Sequence, residues 1–82
     1  MASRRRTPLP NWVLLARLEL GHRIAARRRE LGLSQDNLAD RIGMERRSVQ
    51  RYEAGSRDPG YSELLLIAQA LEVSVADLIR TS

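Results

Sequence analysis

The stretch QDNLADRIGMERRSVQRYEA, Gln35 to Ala54, has apolar residues at its fourth, fifth, fifteenth and eighteenth places, Leu38, Ala39, Val49 and Tyr52, and a glycine at its ninth, Gly43. Each suits a physical need of two crossing helices. A small side chain belongs where they cross closely, a glycine where φ must be positive, and apolar anchors under the outer helix. Ser34 supplies the oxygen that caps the first helix, and Gly43 ends it. A second helix, Glu45 to Ala54, follows at once and stops at Gly55. It turns Val49 and Tyr52 inward and leaves Arg46, Arg47, Gln50 and Arg51 outward. Helices of about eight residues are too short to stand as an isolated pair, so the rest of the chain must form a bundle around them.

Working outward, Met1 to Pro10 is polar, arginine-bearing and interrupted by Pro8 and Pro10, the pattern of a flexible basic arm over residues 1–10. Asn11 is placed to cap a helix whose apolar positions run from Trp12 through Leu15, Leu18 and Ile24 to Leu31, ending at Gly32. Gly21 is its weak point, because an interior glycine costs about 1 kcal/mol against alanine. The segment reads either as one long helix or as two shorter ones. On the other side, SRDPG is a turn, Ser62 opens a fourth helix holding Leu64, Ile67, Ala68 and Leu71, and Ser74 caps a last one with Val75, Leu78 and Ile79. No stretch has strand periodicity, so the fold class is all-α.

A chain of 82 residues predicts one small domain without room for a large enclosed active site. With 43% apolar residues and no Phe, its core must be mostly aliphatic. Without Cys, and with His22 as the single histidine, no thiolate or histidine metal cluster is expected, and no cofactor. Ser34 and Ser62 read as helix caps rather than nucleophiles, since no His–acid pair could activate them, and an enzyme is not expected. The longest apolar stretch, WVLLARLEL, is broken by Arg17 and Glu19, so no membrane span or membrane partner is predicted, and the cytoplasm is the expected location.

The net charge of +4 conceals a gradient: residues 1–31 hold eight Arg against two Glu, residues 32–58 five cations against five acids, and residues 59–82 one against three. All 14 cationic residues are Arg. Guanidinium chemistry on phosphate and guanine would use such a bias, although GC-rich codon usage is the simpler source. By composition alone, a solvated face is the plainer account of Arg46, Arg47 and Arg51.

The combination of RRRELGLSQDNLADRIGM, RRSVQRYEAGSRDP and LLLIAQALEVSVADLI, spanning about Ile24 to Ile79, resembles the helix-turn-helix domain of the Cro and phage-repressor type, also called the xenobiotic-response-element family. The resemblance implies a five-helix, lambda-repressor-like bundle over residues 24–80; residues 1 to about 20 lie outside the family core, and there the residues themselves give the helical extension at 11–23 and the arm at 1–10. The resemblance also implies binding to double-stranded DNA with Glu45–Ala54 as the recognition helix in the major groove. Arg46, Arg47 and Arg51, with Gln50, are then the base-reading candidates, since Arg can pair with guanine through two hydrogen bonds.

Gln35 corresponds to the family's first residue of the second helix, which meets a phosphate and braces the recognition helix. Ser48, Arg57 and Arg41 join it as candidate backbone contacts. The resemblance pairs Arg28 with Glu53 as a buried structural ion pair, removing Arg28 from the DNA set. Glu45 departs from the family, which usually has Ser or Thr there; its carboxylate sits badly beside phosphates. Arg4, Arg5 and Arg6 of the arm are candidate minor-groove or phosphate contacts.

Trp12, Val13, Leu14, Leu15, Leu18 and Leu20 wrap more of a helix than one core-facing stripe requires. A homodimer is expected, with Trp12, Leu15, Val75, Leu78 and Ile79 as interface candidates, on half-sites about one DNA turn apart. The function so implied is a transcriptional regulator, a repressor or small controller, on a pseudo-palindromic site with no small-molecule ligand. A protein-interaction module built on the same bundle is the alternative.

Overall fold

The computed structural model describes residues 7–80, so Arg4, Arg5 and Arg6 lie outside the described residues. Five helices follow one another: α1 (Asn11–Glu30), α2 (Gln35–Ile42), α3 (Arg46–Ala54), α4 (Tyr61–Leu71) and α5 (Val75–Ile79), and no strand occurs among the described residues. None of these helices is long and apolar enough to cross a membrane.

α1 is a single helix of 20 residues, and it passes through the expected division between residues 23 and 24 without a break. Gly21 interrupts nothing because it is the point of closest approach to α3. A Cβ at this position would overlap the carbonyl oxygens of Tyr52 and Glu53. The missing side chain lets two backbones meet, which is worth more here than the local helix propensity it sacrifices.

The expected cap at Asn11 is corrected: Pro10 is the N-cap, with φ −60° and ψ 151°, and its carbonyl accepts from Val13 N at 3.0 Å. A proline suits this entrance because its ring fixes φ and it has no N–H to leave unpaired. Ser62 is likewise not a cap. α4 starts one residue earlier, and Glu63 Oε1 reaches back to accept from Gly60 N at 2.9 Å. Ser34 and Ser74 do cap α2 and α5, each accepting from the backbone N–H three residues on, at 3.0 and 3.1 Å.

The core is built from Ile24 of α1, Leu38, Ala39 and Ile42 of α2, Val49 and Tyr52 of α3, Ile67, Ala68 and Leu71 of α4, and Leu78 of α5. It is aliphatic apart from Tyr52, whose burial pushes its phenol pKa up while the charge of Arg57 pulls it down. Its hydroxyl donates weakly to Met44 Sδ at 3.8 Å. Three arginines reach carbonyls of the bundle. Arg27 Nε donates to Leu71 O at 2.9 Å, and Arg23 and Arg41 reach Leu78 O and Ala70 O, each at 3.4 Å. They thus satisfy carbonyls near the ends of α4 and α5 that have no partner within the helix.

Candidate nucleic-acid interface

α2 and α3 are set by the turn between them. Gly43 takes φ 69° and ψ 32°, the left-handed conformation that a side chain resists, and Met44 N returns to Ala39 O at 2.9 Å. Glu45 is the N-cap of α3, in extended conformation, and its side chain makes no capping hydrogen bond. Beyond it, Val49 and Tyr52 fasten α3 to the core at 1% and 2% exposure.

The helical period then decides what faces out. Arg47 and Arg51, one turn apart, stand with Gln50 opposite the buried pair, and all three are exposed. Arg46 is exposed at the edge towards α2, with Nε 3.7 Å from Asp36 Oδ1. Asp36 is a site residue that the sequence pattern does not single out; its signal is an acid one residue into α2, where it also suits the helix dipole. Ser48 is half-buried at the other edge.

Glu53 is the hub of the site. Its carboxylate accepts from Arg28 Nε at 2.6 Å, Arg28 Nη2 at 3.1 Å and Gln35 Nε2 at 3.0 Å. Arg28 Nη1 also donates to Leu33 O at 2.8 Å. One acid therefore joins α1, the turn before α2, α2 itself and α3. The two charged side chains retain 10% and 7% of their exposure, and hydrogen bonding to Glu53 raises the Arg28 pKa above its usual value. Gln35 keeps a second N–H on Nε2 after serving Glu53, enough to meet an acceptor such as a phosphate oxygen.

The loop after α3 is held from α1. Arg17 Nε lies 3.0 Å from Asp58 Oδ1, and Leu18 packs on Gly55. Arg57 in this loop is exposed, its guanidinium 5.7 Å from the centre of the Tyr52 ring. Arg41, expected at the DNA backbone, spends one N–H on Ala70 O. The candidate dimer residues separate. Trp12, Leu15 and Ile79 are 72%, 58% and 50% exposed, whereas Leu78 is 2% exposed in the core of its own chain. Leu78 thus packs first within its own chain, and Val75 is half-buried. Leu14 and Leu18, and Tyr61, Leu65 and Leu66 on α4, are further exposed apolar side chains.

Comparison with known proteins bears on the family and the fold. The helix-turn-helix family model matches residues 24–78. An HTH-type transcriptional regulator of Bacillus subtilis, YqaE, is 40% identical over 53 residues, covering 65% of this chain and 46% of the relative. The chain thus spans about half the length of the curated relatives it matches. Among solved structures, the restriction–modification controller protein C.AhdI from Aeromonas hydrophila superposes with a TM-score of 0.72 at 33% identity, covering 74% of this chain and 92% of that one. The P22 c2 repressor, solved in complex with a synthetic operator, gives 0.73 at 28% identity, covering 77% and 96%. With the family model spanning every helix from the second half of α1 to α5, this chain belongs to the helix-turn-helix family, whose relatives are transcriptional regulators and repressors.

Proposed function

We propose that this chain is a sequence-specific reader of double-stranded DNA that regulates transcription in the cytoplasm, as a repressor or small controller, and that it acts as a homodimer on a pseudo-palindromic site. The observation that carries the reading is the outer face of α3. Arg47 and Arg51 stand one turn apart on a helix whose other side is pinned by Val49, Tyr52 and the Glu53 hub. A rigid helix with unburied guanidinium groups is what insertion into a major groove needs. The operator complex of the P22 c2 relative supports the same use of the fold.

In this reading Arg47, Arg51, Arg46 and Gln50 meet base edges, while Gln35, Ser48, Arg57 and the remaining N–H groups of Arg41 meet phosphates. Asp36 steadies Arg46, and the arm residues Arg4, Arg5 and Arg6 add contacts beside the groove.

Sequencing of duplexes captured from a random pool tests this directly. The wild type should return a preferred motif with two-fold symmetry. Arg47→Ala should blur one base pair in each half, for a loss of about 1–3 kcal/mol on the preferred site. Arg57→Ala should weaken every sequence about equally and lower the salt slope by about 1. A pool with no enriched motif, or an Arg47→Ala motif identical to the wild type, would count against the assignment. The exposed apolar turns of α1 favour a second reading, a protein-docking module, which predicts only weak, sequence-blind attraction to DNA.

A further inference from the structure

The first two turns of α1 combine an exposed ring with an empty place for one. Trp12 stands 72% exposed. Alongside it, α1, α5 and the loop after α3 form an open groove of about 200 Å³ whose apolar lining is Val13, Ala16, Leu20, Leu78 and Ile79 and whose charged lining is Arg17, Arg23 and Asp58. Trp12 is not among the residues that line it. The volume is telling. Pockets for free small molecules run to about 300–1,000 Å³, whereas an apolar cavity of about 150 Å³ accepts a benzene ring. A groove of about 200 Å³ therefore suits one larger aromatic side chain such as the fused rings of an indole.

The charged lining points the same way. Arg23 is held by Glu19 at 3.6 Å and by Leu78 O at 3.4 Å, and Arg17 by Asp58 at 3.0 Å. Both guanidinium groups thus have an acid within ion-pair reach at the groove. Trp presents the best aromatic face for a cation.

We propose that the Trp12 indole of one copy fills the α1–α5 groove of a second copy, and reciprocally, so that ring and groove form a closed two-fold interface. This rests on the homodimer in the proposed function and specifies its contact surface. Trp12 and Ala16 are four residues apart and share a face of α1. Two α1 helices crossing antiparallel midway between these positions bring each Trp12 opposite the other copy's Ala16, a small residue in the lining of the groove. Such a contact is isologous and self-limiting: it closes at two copies and leaves no free ring to propagate.

Trp12 is the only tryptophan in the chain, so its fluorescence reports on the contact without a label. In sedimentation and fluorescence run on one dilution series of the full chain, emission should shift to the blue and resist acrylamide quenching as the dimer forms. Trp12→Ala should weaken the dimer about 30-fold or more, the scale of an interface hot spot. Ala16→Leu, which enlarges a lining residue into the groove, should do likewise while keeping helical circular dichroism and leaving Trp12 red-shifted. If the dimer forms with Trp12 still quenched as freely as in the monomer, the ring-in-groove contact is wrong. The α4 face of Tyr61, Leu65 and Leu66 would then be the dimer surface. A chain that stays monomeric throughout the range overturns both this contact and the homodimer, yet leaves the reading of DNA by α3 intact.

Discussion

Glu53 holds an acid at the carboxyl end of α3, where the helix dipole disfavours it, and the three donors from Arg28 and Gln35 are what make that position tenable. Removing the carboxylate strands Arg28 at 8% exposure. Glu53→Ala should therefore cost about 3–5 kcal/mol in urea denaturation, a large part of the roughly 4–12 kcal/mol that a domain of this size commands. Replacing both partners, Arg28→Met with Glu53→Leu, should recover most of that loss, because the desolvation of the pair disappears with it. A single mutant that unfolds at the wild-type urea midpoint would mean that the pair is solvated. The same residue explains a limit of reading arginine from sequence. Of the 14, Arg23, Arg27, Arg28 and Arg41 all turn to carbonyls or to Glu53. In a one-dimensional pattern they look no different from Arg47.

At the scale of the elements, α2, the turn and α3 were legible because their signals are local: a serine cap, a glycine at a positive φ, and apolar anchors at helical spacing. The ends of α1 and α4 were less so. Pro10 rather than Asn11 caps α1, and Glu63 rather than Ser62 settles the start of α4, since in each case a backbone group and a neighbour three residues on decide the cap together. The length of α1 was open because the propensity penalty of Gly21 is visible in sequence and the backbone it lies against is not. One end was chosen against propensity. α4 closes on Glu72 at φ 60°, the only residue other than glycine with positive φ among the described residues. The left-handed conformation costs about 1–2 kcal/mol for such a residue, and glycine gives back about 0.5–1 kcal/mol of that in chain entropy. Glu72→Gly should thus stabilise the fold by about 0.5–1 kcal/mol. An unchanged or lower thermal midpoint would show that the Glu72 side chain contributes something this balance omits.

Across the whole molecule, α1 runs about 30 Å at roughly 1.5 Å per residue, and its two halves have separate duties. The second half carries Ile24 and Arg28 into the bundle, and the first half carries Trp12, Leu14 and Leu15 out of it. A two-fold dimer built through that first half would hold its two α3 helices at a set separation. Binding should then depend on helical phase: inserting five base pairs between the half-sites turns one of them about half a turn away, at about 10–10.5 base pairs per turn. Affinity in a gel-shift titration should fall towards that of a single half-site, and ten inserted base pairs should restore less than the original. Equal affinity for all three spacings would mean that the copies bind independently. Gly21 and Leu18 fasten the outward half of α1 directly to the last turn of α3 and to Gly55. The angle at which the helix is offered to DNA is therefore set from behind, by a residue with no side chain. Any drift at position 21 would spoil the aim without touching a single contact to the target.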